Sequence, residues 1–289
     1  MDIDESNNNF NINRVNQNLY QGNNNNIQIN IPSQNDYQFC GLISGMNRYK
    51  TIPLGNAEKI NNRSLIEITG EAGTGKSKLC YYFALKTILP EKYGGLEKSC
   101  LLVTTFNRLN EEKICEFFDI PAKNMGLNEK EEELLFRKLI YKHLNFEDFQ
   151  RFFNEDFEKY LIENKVQTLI IDNISSLCDE KFSGDKAYNY PARHKFLFDF
   201  FFQLNGIILR YNLFCFCVNE VRASISDYDT KYKNNLKPAM GKTWENNLGT
   251  RLFLKKNTNN HKRWIDVDFS NFLIKKCIEF KITNNGIEF

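Results

Sequence analysis

The chain has 289 residues, of which 42% are hydrophobic and 14% aromatic, and its formal net charge is +2. That is enough apolar material for a sizeable core in one large or two smaller domains. The balanced charge excludes a polycation, so any nucleic-acid surface has to be a local patch.

Eight cysteines are scattered as Cys40, Cys80, Cys100, Cys115, Cys178, Cys215, Cys217 and Cys277, with no C-x-x-C pair, and the imidazoles are His143, His194 and His261. A zinc centre is not expected from that set. Several of the cysteines lie in apolar runs and read as small core residues of a reducing compartment. No apolar run is long enough to span a membrane. The acidic start Met1-Asp2-Ile3-Asp4-Glu5 lacks the apolar core of a signal peptide, so an intracellular protein is expected.

Residues 1–38 are Asn-rich, with runs at Asn7-Asn8-Asn9 and Asn23-Asn24-Asn25-Asn26. Apolar residues there are too sparse to offset the entropy of ordering, and a disordered tail is expected, with a domain over 39–289. Tyr37 to Asn62 reads as an irregular lead-in punctuated by Gly41, Gly45, Pro53 and Gly55.

Leu65-Ile66-Glu67-Ile68-Thr69 then reads as a strand, and Lys76 to Leu89 as a helix with Leu79, Phe83 and Ile88 near one face. Between them stands Gly70-Glu71-Ala72-Gly73-Thr74-Gly75-Lys76-Ser77, the G-x-x-x-x-G-K-[ST] spacing of a phosphate-binding loop. Its glycines let successive N–H groups turn inward on an anion, and the helix start adds its positive dipole end. Lys76 is placed to reach β- and γ-phosphates, and the Ser77 hydroxyl to hold Mg²⁺.

Pro90 ends the helix and Tyr93-Gly94-Gly95 makes a turn. Cys100 to Thr105 is a second buried strand, and Glu111 to Phe118 a short helix. Leu139 to Leu144 reads as a third strand, although Glu131 to Leu144 also has helical spacing. Phe146 to Asn164 is amphipathic, with Phe149, Phe152, Phe153, Phe157, Tyr160 and Leu161 on one side. Thr168-Leu169-Ile170-Ile171-Asp172 has the apolar run of a strand buried on both faces. The Asp at its end is either a cap or, beside a phosphate loop, the second holder of Mg²⁺.

Arg193 to Arg210 reads as a long helix whose Phe face (Phe196, Phe198, Phe200, Phe201, Phe202) belongs to the core. Leu213 to Val218 is another buried strand. Arg251 to Leu254, Arg263 to Phe269 and Cys277 to Ile282 read as antiparallel edge strands. Alternating strands and helices followed by β strands give an α/β fold, with a mostly parallel central sheet, helices on both faces and an antiparallel C-terminal β extension.

Several stretches together resemble a known family. The phosphate loop is similar to that of the eukaryotic recombinases of the RecA superfamily. It is followed in order by Gly94-Gly95-Leu96-Glu97, by Leu169 to Ser176, and by Ala192-Arg193-His194. Pro238-Ala239-Met240-Gly241-Lys242-Thr243-Trp244-Glu245-Asn246 and Thr250-Arg251-Leu252 complete the set. The pattern P-A-[LM]-G-x-T-W-x-N followed by T-R-L is specific to recombinases and their paralogues. With G-G-L-E and A-R-H it looks most like the X-ray repair cross-complementing type 3 branch. The resemblance covers about 42–289.

The resemblance implies a RecA-like ATPase core acting in homologous recombination and double-strand break repair, in the nucleus. It implies ATP and Mg²⁺ as cofactors, with Gly70 to Ser77 on the nucleotide and Ser77 and Asp172 on the metal. It also implies a neighbouring recombinase or paralogue protomer and single-stranded DNA as partners. The DNA loops would fall at about 178–191 and 222–237. Arg222, Lys231, Lys233 and Lys237, interleaved with Tyr228 and Tyr232, suit backbone contact with base stacking, although Asp227 and Asp229 also fit a solvated surface loop.

Two positions depart from the family pattern. The Glu that follows the second strand is here Phe106, which can neither accept a proton nor orient water. Asn-Gln-Val, whose Gln carries the γ-phosphate signal, is here Asn219-Glu220-Val221. No residue is therefore assigned a catalytic role, and ATP binding with weak turnover is expected. A working recombination factor and a non-catalytic, ATP-stabilised adaptor both remain open. A small-molecule kinase is more distant, since Gly184-Asp185-Lys186 offers little of an arginine lid. The family's N-terminal helical domain is replaced here by the Asn-rich stretch.

Overall fold

A nine-stranded mixed sheet carries the fold, in the order β13-β12-β11-β10-β3-β7-β6-β4-β5. The computed structural model describes residues 49–105, 117–118, 124–182, 189–223, 236–284 and 286–289. The Asn-rich stretch, Phe106, most of the expected helix 111–118, and Lys231 and Lys233 lie outside them.

In chain order the strands are β1 (Thr51–Leu54), β2 (Glu58–Asn61), β3 (Ser64–Gly70), β4 (Ser99–Thr104), β5 (Leu139–His143), β6 (Val166–Asp172), β7 (Phe214–Asn219), β8 (Val221–Ala223), β9 (Leu236–Pro238), β10 (Thr250–Lys256), β11 (Arg263–Ser270), β12 (Cys277–Thr283) and β13 (Gly286–Glu288). The helices are α1 (Lys76–Ile88), α2 (Glu129–Arg137), α3 (Phe146–Arg151), α4 (Phe157–Glu163), α5 (Ile174–Phe182), α6 (Asn189–Tyr211) and α7 (Gly241–Glu245).

Strands β5, β4, β6, β7, β3 and β10 run parallel, and β11 to β13 continue the sheet antiparallel. The α/β reading with a C-terminal antiparallel extension therefore holds. Its boundary is displaced, however: Arg251 to Leu254 is not an antiparallel edge but part of the last parallel strand, in register with Glu67 to Gly70 of β3. Alternation along a strand encodes which face is buried and says nothing about direction.

Alternate residues of the central strands feed two cores. Ile66, Ile68, Phe216, Leu252 and Leu254 meet α1 through Leu79, Phe83 and Ile88. Phe83 stacks on Phe216 with centroids 4.2 Å apart. On the other face, Leu65, Val103, Leu169, Ile171, Cys215 and Cys217 meet α3 to α7. Burial on both faces explains the apolar runs of these strands. The described cysteines are free, and all but Cys277 are buried.

Four local expectations resolve differently. The lead-in is not irregular at its end, because Thr51 to Asn61 forms an antiparallel ribbon turning at Gly55 (φ 75°) and burying Ile52, Leu54 and Ile60. The ambiguous stretch before β5 divides into both elements. Asn128 caps α2, its Oδ1 accepting from Glu131 N at 3.0 Å while its own N–H donates to Glu131 Oε2 at 3.1 Å. That reciprocal box sets the helix start, the helix stops at Arg137, and β5 pairs with β4 from Leu139.

The amphipathic run 146–164 is broken by a π turn at Phe152–Asp156. On α6, Phe200 and Phe201 are buried as read, but Phe198 and Phe202 are 56% and 66% exposed. They lie four residues apart on the face opposite Leu204 and Ile208, so the Phe run wraps around the helix instead of forming one stripe.

Candidate nucleotide site

The carboxyl ends of β3, β6 and β7 converge with the start of α1, the place where open parallel sheets bind ligands. Gly70 closes β3 at φ 150°. A Cβ there would lie 2.3 Å from Leu254 O of β10, so the sheet itself demands glycine. Gly75 caps α1 at φ 110°, and a Cβ there would lie 2.9 Å from Ile282 Cδ1. The C-terminal extension thus braces the loop: Phe280 and Ile282 of β12 lie against Gly75.

Between these glycines the chain curls on itself. Thr74 Oγ1 donates to Glu71 O at 2.8 Å. Lys76 Nζ folds back to donate to Gly70 O at 2.8 Å and Glu71 O at 3.1 Å. Burial pushes the Lys76 pKa down, opposed first by the Glu220 carboxylate and then by Asp172. Among the described residues this half-buried ammonium is held by the two loop carbonyls, and it is well placed to receive an anion.

Ser77 Oγ donates to Asp172 Oδ2 at 2.7 Å, across 95 residues of sequence. Burial pushes the Asp172 pKa up, while the Ser77 hydroxyl and Lys76 pull it down. A hydroxyl and a carboxylate oxygen in contact beside a phosphate-type loop form a hard-oxygen donor pair, which fits Mg²⁺. The sequence-predicted Gly70 to Ser77 and Asp172 are thus brought together.

Asp172 is followed by a network the sequence reading missed. Thr105, at the end of β4, donates through Oγ1 to Asn173 O at 2.6 Å and accepts from Asn173 N at 3.2 Å. Asn173 Oδ1 accepts from Ser176 N at 2.6 Å and Ser175 Oγ at 3.1 Å, which leaves its Nδ2 to donate to Glu220 Oε1 at 3.3 Å. The backbone of Glu220 is held on both sides, its N–H by Ser175 Oγ at 3.1 Å and its carbonyl by Ala239 N at 2.8 Å.

Beyond Glu220, β8 and β9 form a two-stranded ribbon in which Arg222 and Lys237 are cross-strand partners. Two of the four predicted DNA contacts are therefore adjacent at the base of 224–235. Arg222 is also ion-paired with Asp179 of α5. Lys231 and Lys233 lie outside the described residues.

A second unread feature sits behind the loop. Glu67, in the middle of β3, is fully buried. Its carboxylate takes Trp244 Nε1 at 2.8 Å, Asn219 Nδ2 at 2.7 Å and the Arg251 guanidinium. Arg251, itself 1% exposed, also reaches Glu245 Oε2 at 3.1 Å and Asp268 Oδ2 at 3.6 Å. Burial pushes the Glu67 carboxyl up, and Arg251 opposes it. The Trp of the P-A-M-G-x-T-W-x-N stretch and the Arg of T-R-L thus meet on one buried carboxylate, three residues before Gly70. The signal available in sequence was a lone charge inside an apolar strand.

A family model described as Rad51 matches residues 42–289. The chain is 24% identical over 212 residues to human "DNA repair protein RAD51 homolog 2", covering 66% of this chain and 55% of that protein. It is 27% identical over 231 residues to "DNA repair and recombination protein RadA" of Metallosphaera sedula, covering 79% and 67% respectively. It is 27% identical over 199 residues to "DNA repair protein RAD51" of Mycosarcoma maydis, covering 69% and 56%. The chain spans little more than half the length of two of these relatives. With the family model spanning all of the described residues, this chain belongs to the Rad51 family.

Proposed function

We propose that the chain is an ATP-binding recombination factor, acting in homologous recombination and repair of DNA double-strand breaks beside a recombinase or paralogue protomer. The observation that carries this reading is the Ser77 Oγ to Asp172 Oδ2 contact of 2.7 Å at the start of α1. It joins the two oxygen donors that a Mg²⁺–nucleotide needs, and the phosphate loop lies directly over them. When bound, Mg²⁺ would neutralise phosphate charge. Lys76 would turn from Gly70 O and Glu71 O toward the β- and γ-phosphates, and the backbone of Gly70 to Ser77 would cradle them.

Arg222 and Lys237, with Lys231 and Lys233 between them in sequence, would meet the phosphates of single-stranded DNA, and Tyr228 and Tyr232 would supply stacking surfaces. The names of two of the relatives, both DNA-repair proteins, support a nuclear DNA-repair role. Gly94-Gly95-Leu96-Glu97 and Ala192-Arg193-His194 favour a paralogue of the X-ray repair cross-complementing type 3 branch.

A second reading, an ATP-stabilised adaptor that turns over little, is favoured by two side chains. Phe106 follows Thr105 in sequence and offers no base. Glu220 is held by Asn173 beside the cradle and brings a second negative charge to it. Measuring nucleotide turnover with and without single-stranded DNA separates the readings. DNA-stimulated hydrolysis supports a working ATPase, and tight binding without turnover supports the adaptor. Failure of the protein to bind any adenine nucleotide would remove both.

A further inference from the structure

The carboxyl edge of the sheet does not end at the metal pair. Thr104 closes β4 as the register partner of Asp172 on one side and of His143, the last residue of β5, on the other. Backbone bonds tighten that rung: Thr105 N donates to Asp172 O at 3.0 Å, and Leu144 N donates to Thr104 O at 2.9 Å. Side chains alternate across a strand. Ile170 and Leu102 belong to the core under α1, so Asp172 and Thr104 share that face. His143 joins them, because Tyr141, its same-face neighbour on β5, packs against the same core. Thr104 is 2% exposed, and its Oγ1 lies 3.0 Å from Tyr141 Oη and 3.2 Å from His143 Nδ1. The half-buried imidazole therefore leans toward β4, the side on which Asp172 lies, with Nδ1 held by Thr104 and Nε2 as its second nitrogen.

We propose that His143 is a catalytic residue of the nucleotide site, the group that takes the proton of the water attacking the terminal phosphate of a nucleoside triphosphate. The inference rests on the reading of Gly70 to Ser77 as a nucleotide cradle, and it favours a working hydrolase over the adaptor. In the step, the water oxygen bonds to the terminal phosphorus while the bond from that phosphorus to the bridging oxygen breaks. The bridging oxygen leaves with the electron pair as part of the diphosphate, and the proton of the water passes to His143 Nε2. A base of this kind is oriented by a third group on its other nitrogen. Thr104 is that group. With Nδ1–H donating to Thr104 Oγ1 and the Thr104 hydroxyl donating to Tyr141 Oη, Nε2 carries the lone pair. The spacing fits as well. Phosphate, attacking water and imidazole in a row stand about 3 Å apart in succession. Such a row, begun at the metal pair, spans about the two strand spacings, of about 4.8 Å each, between Asp172 and His143. Asp172 itself is engaged by Ser77, and Lys76 is already a cation.

The test uses the whole chain with Mg²⁺ and compares the parent with His143→Gln, His143→Ala and Glu220→Gln, the last removing the other exposed proton acceptor at this edge. Turnover of ATP should fall about a hundredfold in both His143 variants, with the dissociation constants of ADP and of a non-hydrolysable ATP analogue within about twofold of the parent's. Melting temperatures should agree, because the imidazole is half-buried and lies outside the two cores. Added imidazole should restore part of the rate in His143→Ala, which no purely structural role would allow. Independently of turnover, the NMR signals of the His143 ring, assigned by their loss in His143→Gln, should shift with the ATP analogue and not with ADP, while those of His194 and His261 stay in place. Full turnover in His143→Gln, a loss confined to Glu220→Gln, or a binding loss as large as the rate loss overturns the proposal and leaves the cradle standing. A ring signal that ignores the analogue, or that ADP moves as far, overturns it too, as does a parent that binds nucleotide without turning it over. A parent that binds neither nucleotide overturns the proposal together with the cradle.

Discussion

Replacing Arg251 with methionine leaves the Glu67 carboxylate fully buried in the centre of the sheet without its cation. Arg251 Nε contacts Glu67 directly, and only Asn219 Nδ2 at 2.7 Å and Trp244 Nε1 at 2.8 Å would remain as donors. Two neutral donors do not compensate a charge at this depth. Removing one partner of a buried ion pair costs about 3–5 kcal/mol. Glu245 and Asp268, which also approach the guanidinium, lose their cation as well, but they are partly solvated and add little.

For a domain of this size the loss corresponds to a fall in melting temperature on the order of 10 °C. The assay is urea unfolding followed by Trp fluorescence and far-UV circular dichroism, for Arg251→Met, Glu67→Gln and the double variant. Most of the loss should return in the double variant, because no unpaired charge then remains, and the coupling energy of the cycle should be favourable by a few kcal/mol. A loss below about 1 kcal/mol in Arg251→Met would show that Glu67 is already neutral in the fold, and the electrostatic account of the network would be wrong.

Three further outcomes are expected. Phe200→Ala should destabilise by about 3–5 kcal/mol, because the ring is 4% exposed and lies against Phe149 and Phe153, whereas Phe202→Ala, 66% exposed, should stay within about 0.5 kcal/mol; equal losses would contradict the orientation of α6. Ile282→Ala removes the side chain braced against Gly75. It should weaken ADP binding with a stability loss of about 1–2 kcal/mol, less than for a fully buried isoleucine, and an unchanged dissociation constant would separate the C-terminal extension from the loop. Neutralising Lys231 and Lys233 together should weaken single-strand binding and lower its salt slope by about one to two units; a parent whose binding does not respond to salt would sink the loop assignment.

Much of this fold is written in periodicity. β3, β4, β6 and β7 are buried on both faces, so each is apolar over most of its length, interrupted in β3 by Glu67, with no trace of helical spacing. The loop is legible because phosphate cradles need glycine where a Cβ has no room, and Gly70 against Leu254 O shows that constraint directly. Three things were hidden. The parallel direction of β10 depends on its pairing with β3, and local alternation carries no trace of it. The ribbon Thr51–Asn61 was masked by Pro53 and Gly55, which punctuate a loop as readily as a two-stranded edge. The Glu67–Arg251 pair joins residues 184 apart in sequence, and the pattern of neither strand announces it. Within the site, Asp172 could be placed from its strand end, but its contact with Ser77 and the clamp on Glu220 through Asn173 are tertiary facts.

The measurement closest to the central claim is binding of Mg²⁺–adenine nucleotide by the whole chain beside its Lys76→Ala variant. Among the described residues Lys76 Nζ hydrogen-bonds the loop carbonyls Gly70 O and Glu71 O, so its removal should leave the fold intact while stripping the cation from the cradle. Saturable, Mg²⁺-dependent binding by the parent, weakened at least tenfold in Lys76→Ala at unchanged melting temperature, is the predicted result. Binding of equal strength in the two proteins would contradict the assignment of Gly70 to Ser77 as the nucleotide site.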